Sequence, residues 1–188
     1  MSLPARSSID RPTPRRILDA AADEFAEHGF AGARVDRIAE RAEANKQRIY
    51  AYFGSKDGLF DRVIGDRLER SVEAVPFDPS DLPGYAVRLL DFSLAHPDLV
   101  RLQLWSALER PGLRGRLAGW GSSSAKIEAL RAVLATRPTP PALAPERLLA
   151  QVLALVEGMA LRLATGVELV AVDQARDDLR RSVELLLG

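Results

Sequence analysis

Apolar residues recur at spacings of three and four along most of the chain, which is the period of a helix that buries one face. No run of alternating β-branched and polar residues is bounded by hairpin turns, so strands are not predicted. The pattern therefore predicts an all-α fold. Its nine predicted helices cover residues 13–28, 35–41, 46–53, 56–73, 84–95, 97–109, 123–136, 145–165 and 173–187.

Start and stop signals define the ends of several helices. Thr13, Ser55 and Asp173 are residue types whose side chains cap helix N-termini, and they stand at the starts of the first, fourth and ninth helices. Gly29 follows the first helix and is predicted to adopt a left-handed conformation, with Phe30 folding back onto the last turn. The first helix is therefore predicted to stop at residue 28.

Proline-rich segments divide the chain. Three prolines within residues 76–83 predict the main domain boundary, and four prolines within residues 137–145 predict an extended loop. We therefore predict a flexible basic N-terminal tail (1–12), a three-helix domain (13–55), a connecting helix (56–75) and a larger helical domain (76–188).

Composition argues against several classes of function and site. The formal net charge is +0, so any nucleic-acid binding requires a local concentration of positive charge. The chain has no cysteine and only two distant histidines, His28 and His96, so neither a thiol nucleophile nor a metal site is predicted. No catalytic motif points to an enzyme, and no cofactor is expected. Because no stretch reads as a signal peptide or membrane span, a cytoplasmic protein without a membrane role is expected.

Residues 35–53 have the build of a helix-turn-helix, in which one short helix is braced across another so that it can enter the major groove of DNA. The internal packing positions are apolar: Val35, Ile38, Ala39, Ala42, Ile49 and Phe53. Between them lies a polar and aromatic face: Asn45, Lys46, Gln47, Arg48, Tyr50 and Tyr52. A helical hairpin without a DNA role is the alternative, but a unit that only packs does not need exposed cations beside two tyrosines.

The stretch 34–60 resembles the DNA-binding signature of tetracycline-repressor-like (TetR/AcrR) transcriptional regulators. Its most specific part is Ile49-Tyr-x-Tyr-Phe-Gly-Ser-Lys-x-x-Leu59, and the pattern Ala21-Ala22-x-x-Phe25-x-x-x-Gly29-Phe30 of the preceding helix also matches. The resemblance covers roughly residues 14–68. It implies an N-terminal three-helix DNA-binding domain followed by a larger C-terminal helical domain that binds a ligand and dimerises.

The resemblance also implies which side chains contact DNA: Arg34, Asn45, Lys46, Gln47, Arg48, Tyr50, Tyr52 and Lys56. Asn45 and Lys46 would open the recognition helix. Gln47 and Arg48 would face base edges, and their side chains suit bidentate contacts with adenine and guanine respectively. Lys56 and the two tyrosines would contact phosphates, and Lys56 is predicted in a first helical turn, where the amide ends also favour an anion.

The sequence departs from the family pattern at two points. Glu43-Ala44 stands in the turn where the family usually has Gly-Val, and Arg34 stands where a Thr or Ser commonly caps the second helix. Arg34 is expected to place its charge directly on a phosphate instead. Four arginines near the N-terminus are either a solvated arm or DNA contacts: Arg6, Arg11, Arg15 and Arg16.

The C-terminal half carries aromatic and methionine residues at helical spacing, which usually indicates core: Tyr85, Phe92, Trp105, Trp120 and Met159. The resemblance implies a largely apolar ligand pocket, for which Phe92, Trp105 and Met159 are candidate lining residues. Arg162 and Glu157 interrupt an apolar helix. Each charge must face solvent, pair across a dimer or meet the ligand, because an unpaired buried charge is costly.

The last two predicted helices are apolar over more than one face, which predicts a homodimer through them. A two-fold dimer presents two recognition helices to a pseudo-palindromic double-stranded operator. The expected function is a repressor that an unidentified small apolar or amphipathic ligand releases from its operator. The alternative is a DNA-binding module whose C-terminal half docks a protein partner.

Overall fold

The computed structural model describes residues 13–113, 123–139, 141–166 and 171–188. Within these ranges the chain forms helices and no strand, which confirms the all-α prediction. The helices of the described ranges, numbered in chain order, are α1 (Thr13–Gly32), α2 (Val35–Arg41), α3 (Lys46–Phe53), α4 (Lys56–Ala74), α5 (Leu82–Ala95), α6 (Pro97–Glu109), α7 (Ser123–Leu134), α8 (Pro145–Ala164) and α9 (Val172–Leu187). None of these helices combines the length and the apolar character that crossing a bilayer requires.

The described residues divide into two compact units, of which the first comprises residues 13–67 and 101–113. Its helices α1, α2 and α3 pack against one another around fully buried apolar side chains, among them Ile17, Ile38 and Ile49. The ring of Phe60 from α4 packs edge-on against Phe25, with 4.9 Å between the ring centroids. This core fixes α2 and α3 relative to α1.

The second unit comprises residues 68–100 and 123–188 within the described ranges. Helix α5 contacts both α8 and α9, and α8 also contacts α7 and α9. Their shared core is built from aliphatic residues and one buried tyrosine, Tyr85, whose hydroxyl is hydrogen-bonded to the Lys126 ammonium at 3.0 Å. The predicted functional division at residues 12, 55 and 75 stays a prediction.

The first helix breaks where the sequence indicated. Gly29 has a φ of 69° and a ψ of 178°, and the ring of Phe30 stacks on that of Phe25 at 6.3 Å. A Cβ atom at Gly29 would lie 3.0 Å from the ring of Trp105, so both the backbone conformation and the close approach require glycine here. After the break one further helical turn reaches Gly32, which the sequence analysis did not predict.

The structure tests two of the three predicted helix caps. The hydroxyl of Ser55 accepts from the backbone N–H of Gly58 at 3.0 Å, which confirms the cap of α4. Thr13 belongs to α1 and is the first residue that the structure describes, so the cap predicted there stays a prediction. The cap predicted for Asp173 was wrong, because α9 begins at Val172 and Asp173 accepts instead from the side chain of Arg176 at 2.6 Å.

Helix α5 starts two residues earlier than predicted. The carboxylate of Asp81 accepts from the backbone N–H of Gly84 at 2.9 Å and so caps the helix. This hydrogen bond lowers the pKa of Asp81 despite the opposing effect of burial, and the side chain of Arg88 lowers it further. Pro83 had suggested a loop, yet proline is well tolerated in a first helical turn.

Candidate DNA-binding surface

The turn between α2 and α3 keeps its tight geometry without glycine. Glu43 adopts a φ of +48°, a left-handed conformation that non-glycine residues rarely take. The backbone N–H of Ala44 donates to the carbonyl of Ala39 at 2.9 Å, which closes the turn. Glu43 also lies 3.7 Å from the guanidinium of Arg16. The departure from Gly-Val is therefore accommodated at the cost of local backbone strain.

Helix α3 presents the predicted polar face to solvent. Asn45 occupies the N-cap, and its side-chain oxygen accepts from the backbone N–H of Arg48 at 2.7 Å. Ile49 anchors the opposite side in the core. The side chains of the outward face are all exposed: Asn45, Lys46, Gln47, Arg48, Tyr50 and Tyr52. Because one side of α3 packs on the core and the other faces solvent, these side chains could reach a nucleic acid without rearrangement.

An ion pair connects the two helices of the motif. The ammonium of Lys46 lies 2.8 Å from the carboxylate of Asp36 on α2. A hydrogen bond to Asp36, together with its charge, raises the pKa of Lys46. Both groups are exposed, so a DNA phosphate could compete with Asp36 for the ammonium. The sequence analysis missed Asp36 as the partner.

Glu24 supplies an acceptor at the start of α2, where Arg34 makes no side-chain cap. Arg34 occupies the N-cap of α2 without a side-chain cap, and its own side chain is exposed. The buried carboxylate of Glu24 on α1 accepts from the backbone N–H of Arg34 at 2.9 Å and from Nε of Arg37 at 2.8 Å. Burial opposes ionisation, but these hydrogen bonds and the nearby charges of Arg37 and His28 lower the pKa of Glu24 below its ordinary value.

Lys56 lies at the start of α4, as predicted. Its ammonium is 3.4 Å from the carbonyl oxygen of Ala31 and 4.9 Å from the centroid of the Phe30 ring, so it rests on the turn after the break in α1. Gly58 follows in the same turn, where a Cβ atom would lie only 2.2 Å from the carbonyl oxygen of Phe53. The connection between α3 and α4 therefore requires a glycine that the family motif treats as a variable position.

The N-terminal arginines fall into two groups. Arg15 and Arg16 lie on α1, where Arg15 is 2.5 Å from Asp66 and Arg16 pairs with Glu43. Their side chains are therefore engaged within the first unit. Arg6 and Arg11, with the rest of the predicted tail, lie outside the described residues.

The four candidate pocket residues are not brought together within one unit. Trp105 belongs to the first unit, where its indole N–H donates to the carbonyl of Ala26 at 3.3 Å. Phe92 and Met159 belong to the second unit, and both are partly buried against its core. Arg162 is exposed on α8. Glu157, on the same helix, is partly buried, and Trp120 lies outside the described residues.

The outer surface of α8 combines small and apolar residues. Ala150, Ala154 and Gly158 recur every fourth residue and are exposed, and Leu155 beside them is 37% exposed. A Cβ atom at Gly158 would meet no atom within 4 Å. On α9, Leu185 is 84% exposed. The second unit thus leaves apolar surface open on both of its last two helices.

Two family descriptions match the chain. Residues 17–63 match "Bacterial regulatory proteins, tetR family", and residues 81–186 match "Tetracyclin repressor-like, C-terminal domain". The first match includes the whole helix-turn-helix, and the second spans more than half of the chain.

Curated relatives support the same family. The chain is 52% identical over 97 residues to the HTH-type transcriptional repressor SCO4008 of Streptomyces coelicolor, covering 52% of this chain and 50% of that protein. It is 33% identical over 112 residues to the HTH-type transcriptional repressor NicS of Pseudomonas putida, covering 55% of this chain and 52% of that protein. The chain spans about half the length of these curated relatives.

Solved structures match over nearly the full length. The crystal structure of SCO4942 from Streptomyces coelicolor has a TM-score of 0.78 and 36% identity, covering 94% of this chain and 99% of that one. FadR of Bacillus subtilis, solved in complex with stearoyl-CoA, has a TM-score of 0.74 at 17% identity, covering 93% of this chain and 98% of that one, and so shows a shared fold. The helix-turn-helix, both domain matches and these structures show that the chain belongs to the TetR family of DNA-binding transcriptional regulators, which are not enzymes.

Proposed function

We propose that the chain is a transcriptional repressor that binds a pseudo-palindromic operator as a homodimer and is released by a small apolar or amphipathic ligand. The observation that carries this proposal is the polar face of α3, exposed on a helix whose other side is anchored by Ile49. Two curated relatives of the chain are named as repressors. A cytoplasmic location follows from that role.

Within this proposal Gln47 and Arg48 read base edges in the major groove, while the other predicted residues hold the backbone. Both side chains are exposed in adjacent positions of the first turn of α3. The exposed hydroxyl-bearing rings of Tyr50 and Tyr52, with the ammonium groups of Lys46 and Lys56, supply phosphate contacts. The exposed guanidinium of Arg34 precedes α2 and adds a phosphate contact at the edge of the motif.

Dimerisation through α8 and α9 is supported by the open apolar surface of these helices. The small residues Ala150, Ala154 and Gly158 permit a second helix to approach closely, and burial of Leu155 and Leu185 would add to the interface. Both helices lie within the region matched to the C-terminal domain of the family.

Release by a ligand is supported by the same C-terminal match and by the occurrence of an acyl-CoA complex in a regulator of the same fold. Phe92 and Met159 are the apolar candidates for contact, since both are only partly buried within the second unit. Arg162 is exposed and could meet a polar group of the ligand at the surface. The protein-docking alternative gains no support from the comparisons.

The experiment that tests the proposal is selection of DNA from a randomised duplex library by the purified chain, followed by gel shift with the enriched duplex. We expect an enriched pseudo-palindrome whose half-sites lie about one helical turn apart, roughly 10 base pairs. Failure to enrich any sequence would overturn DNA recognition. Stearoyl-CoA then serves as the first ligand probe: binding should raise the melting temperature and dissociate the complex, and compounds that do neither are not effectors.

A further inference from the structure

The C-terminal part of α6 and the residue after it form polar contacts with other segments of the first unit, and the family motif does not include these contacts. Three residues make them: Trp105, Glu109 and Arg110. All three belong to the same compact unit as the helix-turn-helix. Each contacts a residue near the break in α1 or in the first two turns of α4, and Lys56, which begins α4, contacts the same region of α1.

Glu109 supplies acceptors where α1 is interrupted. The conformation of Gly29 breaks the helix, so the backbone N–H groups that follow require new partners. One carboxylate oxygen of Glu109 accepts from Phe30 N–H at 2.5 Å and from Ala31 N–H at 3.1 Å. The carbonyl of the same Ala31 accepts from the ammonium of Lys56. Glu109 thus holds the backbone on which Lys56 rests.

Arg110 pairs with the residue that follows Lys56. Its guanidinium forms an ion pair with Asp57, the residue directly after Lys56, and lies 3.4 Å from Asp61. It also lies 5.0 Å from the centroid of the Phe30 ring, which Lys56 approaches at 4.9 Å. Arg110 is 19% exposed, whereas Asp57 is 56% exposed. The partly sheltered cation therefore compensates an exposed carboxylate next to the predicted phosphate contact.

We propose that Glu109 and Arg110 are positioning residues for DNA binding: Glu109 fixes the backbone beneath Lys56, and Arg110 neutralises Asp57 so that the Lys56 ammonium remains available to a phosphate. This inference rests on the proposed contact between Lys56 and DNA. Without Arg110, the carboxylate of Asp57 repels the phosphate and competes for the neighbouring ammonium. Without the carboxylate of Glu109, two backbone donors lose their acceptor and the support of Lys56 loosens.

The test measures affinity for the duplex selected by the wild-type chain, at several salt concentrations. Arg110→Gln should weaken binding by about five- to tenfold and reduce the salt slope by about one unit, because one phosphate contact is lost. Asp57→Asn should bind at least as tightly as wild type. The double variant should recover both the affinity and the slope, since no carboxylate then remains to be neutralised.

Glu109 is tested by a matched pair of variants. Glu109→Ala removes the acceptor and should weaken binding severalfold, whereas Glu109→Gln keeps an acceptor oxygen and should bind like wild type. Thermal unfolding of every variant is measured alongside. A purely structural role would lower the melting temperature of Arg110→Gln without recovery of affinity in the double variant.

Three results would overturn the inference alone: unchanged binding by Arg110→Gln, loss that the double variant does not recover, or equal effects of the two Glu109 substitutions. If the wild-type chain selects no duplex, the proposed function fails and this inference fails with it. Recovery in the double variant, together with the difference at Glu109, would support the positioning role.

Discussion

The two units differ in the contacts that stabilise their helices and in the kind of surface that they expose. In the first unit, a polar side chain accepts from the backbone at the start of each of three helices: Glu24 at α2, Asn45 at α3 and Ser55 at α4. In the second unit, α5, α7, α8 and α9 are joined mainly by aliphatic packing, and the surface left open is apolar. The first unit is proposed to present charged groups to DNA, and directional bonds suit that task. The second unit is proposed to bind a ligand and to dimerise through apolar surface, which adaptable packing suits.

The largest effect is expected at the open surface of the second unit. Ala154→Glu places a charge in the centre of the proposed α8 interface, where it would be buried without a partner. We expect a monomer and a loss of operator affinity of roughly a hundredfold or more, because one recognition helix must then bind alone. Sedimentation and gel shift measure the two quantities.

Ala107→Glu is the matched control, since it introduces the same change at an exposed alanine of α6. This variant should remain a dimer and keep most of its affinity. If Ala154→Glu sediments as the wild type does, the proposed interface is wrong.

The next largest effects are expected on the exposed face of the first unit. Arg48→Ala should cost about 1–3 kcal/mol of discrimination at one base pair, since a bidentate base contact is lost. Lys56→Ala should weaken binding to all sequences and reduce the salt slope by about one unit. Binding titrations with the selected duplex, a single-base variant and an unrelated duplex separate the two roles. Equal losses on all three duplexes for Arg48→Ala would remove it from base recognition.

Substitution of a buried residue in the first unit is expected to change the free energy of unfolding. Glu24→Gln replaces the buried charged acceptor of Arg34 and Arg37 and should destabilise the fold by about 1–3 kcal/mol. Because the pKa of Glu24 is lowered on folding, its contribution is present above its ordinary value of 4.5 and is lost as the pH falls through the folded value.

Thermal unfolding of the wild type and of Glu24→Gln, measured from neutral to acid pH, tests whether ionisation of Glu24 contributes to stability. The difference in melting temperature between wild type and Glu24→Gln should be largest at neutral pH and shrink below pH 4.5. A difference that stays constant through the acid range would show that ionisation of Glu24 does not contribute.

The smallest effect is expected in the turn between α2 and α3. Glu43→Gly relieves the left-handed backbone conformation and should stabilise the chain, by less than about 1 kcal/mol, because the flexibility of glycine in the unfolded state offsets part of the gain. Chemical denaturation measures the change, and Glu40→Gly, which lies inside α2, should instead destabilise it. Destabilisation by Glu43→Gly would mean that the contact with Arg16 outweighs the strain.

The local elements of the fold could be predicted from sequence because their signals are local. Apolar spacing located the helices, and Gly29 and Ser55 marked a break and a cap that the structure confirms. The start of α5 was predicted two residues late and Asp173 was wrongly predicted as a cap, because a displacement of one or two residues decides which side chain faces the free N–H groups.

The long-range partners could not be predicted in this way. Glu24 lies ten residues from Arg34, and Glu109 lies 79 residues from Phe30, so no spacing rule connects them. Trp105 was predicted as a pocket residue because the family resemblance implies an apolar pocket, whereas its contact with Ala26 depends on how distant segments meet. The exposed face of α3 was predictable because the motif itself carries the alternation of packed and open positions.

The most direct test of DNA recognition uses the absence of native cysteine in the chain. Gln47→Cys, coupled to an iron–EDTA cleavage reagent, should cut the selected operator at two places about one helical turn apart, symmetrically about its centre. The same reagent on Glu128→Cys, at an exposed position of α7 in the second unit, should leave the duplex intact. Cleavage from Glu128→Cys but not from Gln47→Cys, or unlocalised cleavage from both, would contradict the account that α3 enters the major groove.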